Sequence, residues 1–297
     1  MSPLHELVAV NARSLRYALG VMLLVGGGTL LALKVWGGLQ SRLAPELWYA
    51  LQGGLLCALG TALGALPVLF MRSIPARVND AMLGFGGGMM LAASCFSLLV
   101  PALQVTQEQG FGRWGGGFLV SAGLLLGASA LFLLGRRLAH RSLAIGSSSP
   151  GVGVWLFVIA IVLHNIPEGM AVGVSAAAGL ANADGLTLGI ALQDVPEGLV
   201  IALLLAGAGM PRLKAVAFGA ASGLVEPLFA ILCAWLVGVS QHLLPWGLSL
   251  AAGAMIFVVV RAIIPELHRR DNVTLAILGF ALGFCLMMLL DNALGRA

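Results

Sequence analysis

Nine mainly apolar stretches recur along this chain, at 16–36, 48–70, 81–103, 114–134, 153–180, 186–208, 213–239, 245–266 and 272–293. Each has about the 20 residues that an α-helix needs to cross a hydrocarbon core roughly 30 Å thick. Inside that core every backbone polar group must be satisfied within the protein, so only helices and closed barrels span it. Runs of this length, without strict alternation, are helical. The chain is therefore read as an all-α polytopic transmembrane bundle. Composition agrees: 60% of the residues are hydrophobic and 9% are charged, against about 25% charged in soluble domains. A soluble enzyme, a disordered chain and a nucleic-acid-binding domain are excluded, which leaves the lipid bilayer as the surrounding partner.

The joints are short, as in Met71-Arg72-Ser73-Ile74-Pro75 and Gly209-Met210-Pro211-Arg212. The longest, 135–152, holds Arg136, Arg137, Arg141 and the run Gly146-Ser147-Ser148-Ser149-Pro150. It reads as a cytoplasmic linker inside a single membrane domain. Before it stand an extra N-terminal span at 16–36 and a first helix group at 48–134; the remaining bundle follows at 153–293. Cytoplasmic loops retain Lys and Arg. One side receives Arg13, Arg16, Arg72, Arg77, Arg136, Arg137, Arg141, Arg212, Lys214, Arg269 and Arg270, whereas the other receives Lys34, Arg42, Arg113 and Arg296. The N-terminus is thus expected in the cytoplasm and, after nine spans, the C-terminus outside. The apolar run after Arg13 and Arg16 shows no small-residue cleavage site and reads as a span, not a signal peptide. Cys57, Cys95, Cys233 and Cys285 lie in apolar stretches without CxxC spacing and read as small buried hydrophobes. Small residues four apart (Gly60/Gly64, Gly84/Gly88, Gly123/Gly127, Gly169/Gly173, Gly219/Gly223 and Gly279/Gly283) predict close helix packing.

Most of the twelve acids sit at span ends or in loops, but four do not: Glu168, Asp194, Glu197 and Glu226. A carboxylate at the bilayer centre costs at least about 2.5 kcal/mol, so it must face a partner or a watery cavity. The fifth span reads His164-Asn165-Ile166-Pro167-Glu168-Gly169 and the sixth Gln193-Asp194-Val195-Pro196-Glu197-Gly198, one motif written twice. Residues three and four apart share a helix face. The two spans join at a turn near Asn182-Ala183-Asp184, and each motif lies roughly 16 Å into its span at 1.5 Å per residue. They should meet near mid-membrane. Pro167 and Pro196 free the carbonyls of Leu163 and Leu192 and are expected to kink or break their helices, as in transporters that expose backbone to ions. The seventh span adds Glu226-Pro227 behind glycines, and the third adds Met89 and Met90 at similar depth. The four acids carry −4 when ionised, with no neighbouring cation in the sequence; two divalent cations would neutralise them. Imidazole with carboxylates suits zinc, iron, manganese or cadmium better than calcium or magnesium.

The paired motif from His164 and Gln193 resembles that of the ZIP (Zrt-/Irt-like protein) divalent-metal transporters, over about Asp80 to Asp291, and most closely its bacterial members. The resemblance implies an eight-helix core, to which the span at 16–36 is an addition, and a binuclear metal site in the transport path. One ion would be held by Met90, His164, Glu168, Gln193, Asp194 and Glu197. The second would be held by Asn165, Glu168, Asp194, Glu197 and Glu226. It also implies import of the metal, zinc above all but also cadmium, iron or manganese, as transported substrate and not as catalytic cofactor. The setting would be a bacterial inner membrane, with a homodimer and an elevator-like slide of one bundle against another. Where such proteins have His-Glu before a Pro-Glu, this chain has Arg261-Ala262 before Pro265-Glu266, a change at the expected exit. An intramembrane metallohydrolase would call for HExxH, which is missing from the sequence. A proton-coupled organic-cation carrier leaves His164 and the repeated amide–acid pattern unexplained.

Overall fold

The computed structural model describes residues 29, 33–71, 73–144, 150–269 and 271–294, of which 138–144, 150–158, 160 and 161 are described by their backbone alone. Most of the expected span 16–36 lies outside the described residues, as do Arg13, Arg16, Arg72, Arg270, Arg296 and the linker residues 145–149. The described chain is helical and contains no strand. In chain order the helices are α1 (Pro45–Ala65), α2 (Ala76–Ala92), α3 (Val100–Glu108), α4 (Gly112–Ala144), α5 (Pro150–Ala177), α6 (Ala183–Gly207), α7 (Arg212–Ser222), α8 (Val225–Val239), α9 (Leu244–Val258), α10 (Ile264–Arg269) and α11 (Val273–Leu294). Seven segments among the described residues are long and apolar enough to cross a membrane. The 28-residue α5, which carries the first motif, lies between them in the chain. This is an integral, multi-pass helical bundle.

Prolines explain most of the irregularities. A proline cannot donate to the carbonyl four residues earlier, and its ring crowds that carbonyl. Before Pro101 the chain widens into a π-helical segment, Ala93–Leu99, that joins α2 to α3; before Pro265 a second, Val259–Ile263, joins α9 to α10. At Pro67 the end of α1 tightens into a 3₁₀ turn, Leu66–Leu69. Arg212 Nη1 donates to the terminal Leu69 carbonyl at 3.2 Å, a cation at a helix C-terminus. The expected breaks at Pro167 and Pro196 do not occur: α5 and α6 run through both prolines, because packed neighbours tolerate one lost ladder bond in a membrane helix. The break lies instead in the seventh span, between α7 and α8, at Gly223-Leu224. Pro227 leaves the Gly223 carbonyl without its helical donor, and the Glu226 N–H takes that carbonyl at 3.1 Å in a tighter turn. The stretch 135–152 is also more regular than expected, helical to Ala144 and again from Pro150.

The helices alternate across the bundle, so the turns after α1, α6 and α10 share one face and those after α3, α5 and α8 the other. Arg77, Arg136, Arg137, Arg212, Lys214 and Arg269 stand at the first, basic face. Most of the expected glycine contacts are made backbone to backbone, whereas Gly123 meets the Ser249 side chain and Gly219 the Cβ atoms of Ala65 and Ala202. A Cβ on Gly64 would lie 1.9 Å from the Val195 carbonyl oxygen, and one on Gly198 would lie 1.9 Å from that of Thr61, which clamps α1 to α6. Gly169 and Gly173 meet the backbone of Glu226 and Ala230 on α8, at 2.5 and 2.2 Å by the same measure. Gly84 and Gly88 seat α2 against Ala276 and Phe280 of α11, and Gly127 and Gly253 seat α4 against α9.

Added volume at such a seam forces the backbones apart, at a typical cost of about 1–3 kcal/mol. Gly64→Ala should therefore lower the thermal unfolding temperature of the detergent-solubilised protein by several degrees. Gly86→Ala, whose Cβ meets nothing within 4 Å, should not. Equal melting of the two variants in a fluorescence-detected thermal scan would contradict the seam.

Candidate metal centre

Three helices bring the interior acids together. On α5, His164, Asn165 and Glu168 share a face; on α6, Gln193, Asp194 and Glu197 do the same, and the hairpin between the helices sets the two motifs against each other. Its turn is closed by Leu180 N–H to the Ser175 carbonyl at 3.1 Å, with Gly179 at φ 59°. Glu226 comes from the first turn of α8, where the helix dipole favours an anion. The seam of Gly169 and Gly173 brings α8 close enough for Asn165 Nδ2 to donate to Glu226 Oε1 at 3.0 Å. Gln193 Nε2 donates to Glu168 Oε1 and ties the two motifs directly. Glu168, Asp194, Asn165 and Glu226 are fully buried.

Two triads of donor atoms result. One atom each from Glu168, Asp194 and Glu197 lie within 4.8 Å of one another, and so do Cys57 Sγ and one oxygen each from Asp194 and Glu226. Asp194 belongs to both. Neither triad includes His164, which instead lines a cavity of about 560 Å³ together with Met90, Gln193 and Glu197. Water occupies roughly 30 Å³ per molecule, so a hydrated ion fits there with room to spare. The cavity is bounded towards the basic face by Asn79, Gly135, Arg261 and Glu266. Arg261, which stands where the resemblance implied a His, is exposed and lines this cavity.

Buried polar atoms are nearly always hydrogen-bonded, which makes the exceptions informative. Among the described residues ten buried side-chain N or O atoms lack a partner. Eight of them are His164 Nε2, Asn165 Oδ1, Glu168 Oε2, Gln193 Oε1, both Asp194 carboxylate oxygens, Glu197 Oε1 and Glu226 Oε2. All eight can offer a lone pair, since the imidazole nitrogen is an acceptor in one tautomer. None of the carboxylate oxygens among them is met by a donor, cationic or otherwise. A cluster of buried acceptors facing one another is suited to replace the hydration shell of a cation. Carboxylates with one imidazole, one thioether and one thiol nearby favour a transition metal.

Two neighbours were not singled out by sequence. Cys57 and Thr61 sit one turn apart on α1; Thr61 Oγ1 lies 3.4 Å from Glu226 Oε1. Both precede the first motif by about a hundred residues. The clue to them was the Gly60/Gly64 pair, which turns the same side of α1 towards α6.

Comparison with known proteins agrees with this geometry. Residues 137–291 match the family described as ZIP Zinc transporter. The zinc transporter ZIPB of Bordetella bronchiseptica is 44% identical, with 98% of this chain and 93% of the relative covered. Zinc transporter GufA of Myxococcus xanthus is 37% identical over 82% of this chain and 98% of its own length. Zinc transporter ZIP11 of Homo sapiens is 32% identical over 79% of this chain and 94% of its own. The buried acceptor cluster on two copies of one motif thus belongs to a metal transporter and not to an enzyme: the chain is a member of the ZIP family.

Proposed function

We propose that this protein carries divalent transition-metal cations, zinc foremost and also cadmium, iron and manganese, into the cytoplasm. The setting proposed is a bacterial inner membrane, with the basic face inside and the N-terminus cytoplasmic, and the assembly a homodimer. The observation that carries this reading is the set of eight unpartnered acceptor atoms at the meeting of the two motifs. The relatives' names supply zinc as the leading substrate. One ion would be held by Met90, His164, Glu168, Gln193, Asp194 and Glu197; the second would be held by Asn165, Glu168, Asp194, Glu197 and Glu226. Asp194, common to both triads, is the bridge best supported.

The packing also supports an elevator-like slide. Backbone-to-backbone glycine contacts join α1, α5, α6 and α8 to one another, and separately join α2 to α11 and α4 to α9. Between these two sets the close glycine contacts are mostly to side chains, as for Gly189 with Met287 and Gly247 with Val174; Gly185 against the Leu290 carbonyl is an exception. Side chains repack at lower cost than seated backbones. The first set would move as a body and carry every proposed ligand but Met90.

Purified protein should bind up to two divalent ions per chain, counted by mass spectrometry of metal against protein. Glu226→Gln should weaken the second ion more than the first, and equal loss of both would contradict two distinct sites. In proteoliposomes Asp194→Ala should reduce zinc uptake to background while the protein still inserts and folds, since removing a buried charge lowers desolvation cost. Wild-type uptake in that variant would overturn the assignment.

Arg261 yields a separate expectation. A fixed cation on the wall of the cavity repels a departing divalent ion without touching the central donors. Replacing it by the family pattern, Arg261→His with Ala262→Glu, should speed uptake severalfold and leave equilibrium affinity unchanged. Unchanged flux in the double variant would show that the guanidinium stays clear of the route.

A further inference from the structure

The thiol of Cys57 has no place in either proposed ligand set, yet it is fully buried and its Sγ lies within 4.8 Å of both an Asp194 and a Glu226 oxygen. The thiol donates a weak hydrogen bond to the Thr187 carbonyl at 3.7 Å. The carboxylates it faces are fully buried, and both Asp194 oxygens and Glu226 Oε2 lack a partner. A buried thiol packed as a hydrophobe would face apolar side chains. This one faces two buried acids with three unpartnered oxygens between them.

Donor atoms around one tetrahedral ion, at about 2.0–2.3 Å from it, lie roughly 3.5 Å from one another. The three donor atoms, on α1, α6 and α8, already lie within 4.8 Å of one another. We propose that Cys57 is a thiolate ligand of the second metal site, with Asp194 and Glu226, and that it biases this transporter towards thiophilic ions such as cadmium and zinc over manganese. The proposal rests on the two-ion reading of the site. Binding would break the S–H bond; the ion takes the thiolate and the proton leaves to water, with no redox change. Thiolates select soft ions, whereas carboxylates, amides and water suit manganese. The Asn165, Glu168, Asp194, Glu197 and Glu226 set contains oxygen and amide donors alone, so Cys57 decides the character of this site.

Position fits the role. A second cavity on the face opposite the basic one is lined by Tyr49, Gln52, Gly53, Leu56, Asp184 and Thr187 among others. Cys57 lies one turn further along α1 than Gly53, and its hydrogen-bond partner Thr187 lines that cavity. An ion coming from that face would meet the sulfur as it reaches Asp194 and Glu226.

The test compares the full-length protein with Cys57→Ser and Cys57→Ala, titrated with cadmium or manganese alone. Two readouts are taken: calorimetric affinity and the ultraviolet charge-transfer absorption of a cadmium–thiolate bond, which the thioether of Met90 does not produce. The wild type should show the band with its second cadmium ion. Both variants should lose the band and at least about tenfold in affinity for that ion, a loss that even outer-shell partners of a metal can cause. Manganese binding should be unchanged. If both variants keep two cadmium ions at wild-type affinity and the band persists, the proposal is overturned while the two-ion reading stands. If the wild type binds fewer than two ions of either metal, the two-ion reading fails and the proposal with it. Loss of manganese and cadmium together in both variants would assign Cys57 a packing role and likewise overturn it.

Discussion

Everything in this bundle is arranged around a charge that hydrocarbon does not accept. Glu168, Asp194 and Glu226 are fully buried, and Glu197 stands at the bottom of the cavity beside them. Each carboxylate at such depth costs several kcal/mol unless compensated. The compensation supplied by protein is partial: an amide from Asn165, one from Gln193, the hydroxyl of Thr61 and the N-terminal turn of α8. These satisfy one oxygen each on Glu168 and Glu226 and leave the others, together with both of Asp194, facing inwards. On the proposed function the remainder comes from the transported cation, which offsets its own dehydration by gaining several anionic ligands at once. A divalent transition metal meets that condition.

Holding the acids that close requires helices that approach more nearly than side chains normally permit. The glycines provide this. Gly169 and Gly173 let the backbone of α8 lie directly on α5, which delivers Glu226 to Asn165; Gly60 and Gly64 do the same for α1 on α6, which delivers Cys57 and Thr61. The break at Gly223-Leu224 then lets Glu226 enter at a helix start instead of mid-helix. There the carboxylate lies at the positive end of the helix dipole. Packing and site chemistry are the same feature seen at two scales.

Much of this was legible in the sequence because it is periodic. Apolar run lengths located the spans, and i, i+3 and i, i+4 spacing put each motif on one face. A repeated motif in consecutive helices could meet in one way. The glycine pairs named in advance are all at helix contacts, and of them Gly123 and Gly219 have no backbone atom within about 3 Å of the would-be Cβ. What escaped was non-periodic. Cys57 carries no local signal that separates a ligand from a buried hydrophobe, since its partners are Asp194 and Glu226, far along the chain. The helix break was expected at Pro167 and Pro196 and lies instead before Pro227. A proline frees a carbonyl wherever it stands, but whether the helix yields depends on its neighbours. Gly223, whose Cβ would lie 2.8 Å from Thr61 Oγ1, is the point where the chain can turn and is also required to be bare.

The two cavities differ in a way that bears on the order of events. The outer one is lined by α1, α5, α6 and the turn between α5 and α6, all within one glycine-seated set. The inner one is lined by both sets: His164, Gln193 and Glu197 from one, and Met90, Phe257 and Arg261 from the other. If the first set slides as proposed, the outer cavity travels with the acids and keeps its shape, whereas the inner cavity lies on the sliding surface and must close. Met90 would then stay with the stationary set. Of all the donors assigned to the ions it would be the one whose contact is made at one end of the stroke and lost at the other. A thioether is a weak, polarisable ligand, and weakness is what that position needs. A ligand that must let go on every cycle cannot hold as firmly as the carboxylates that ride with the ion.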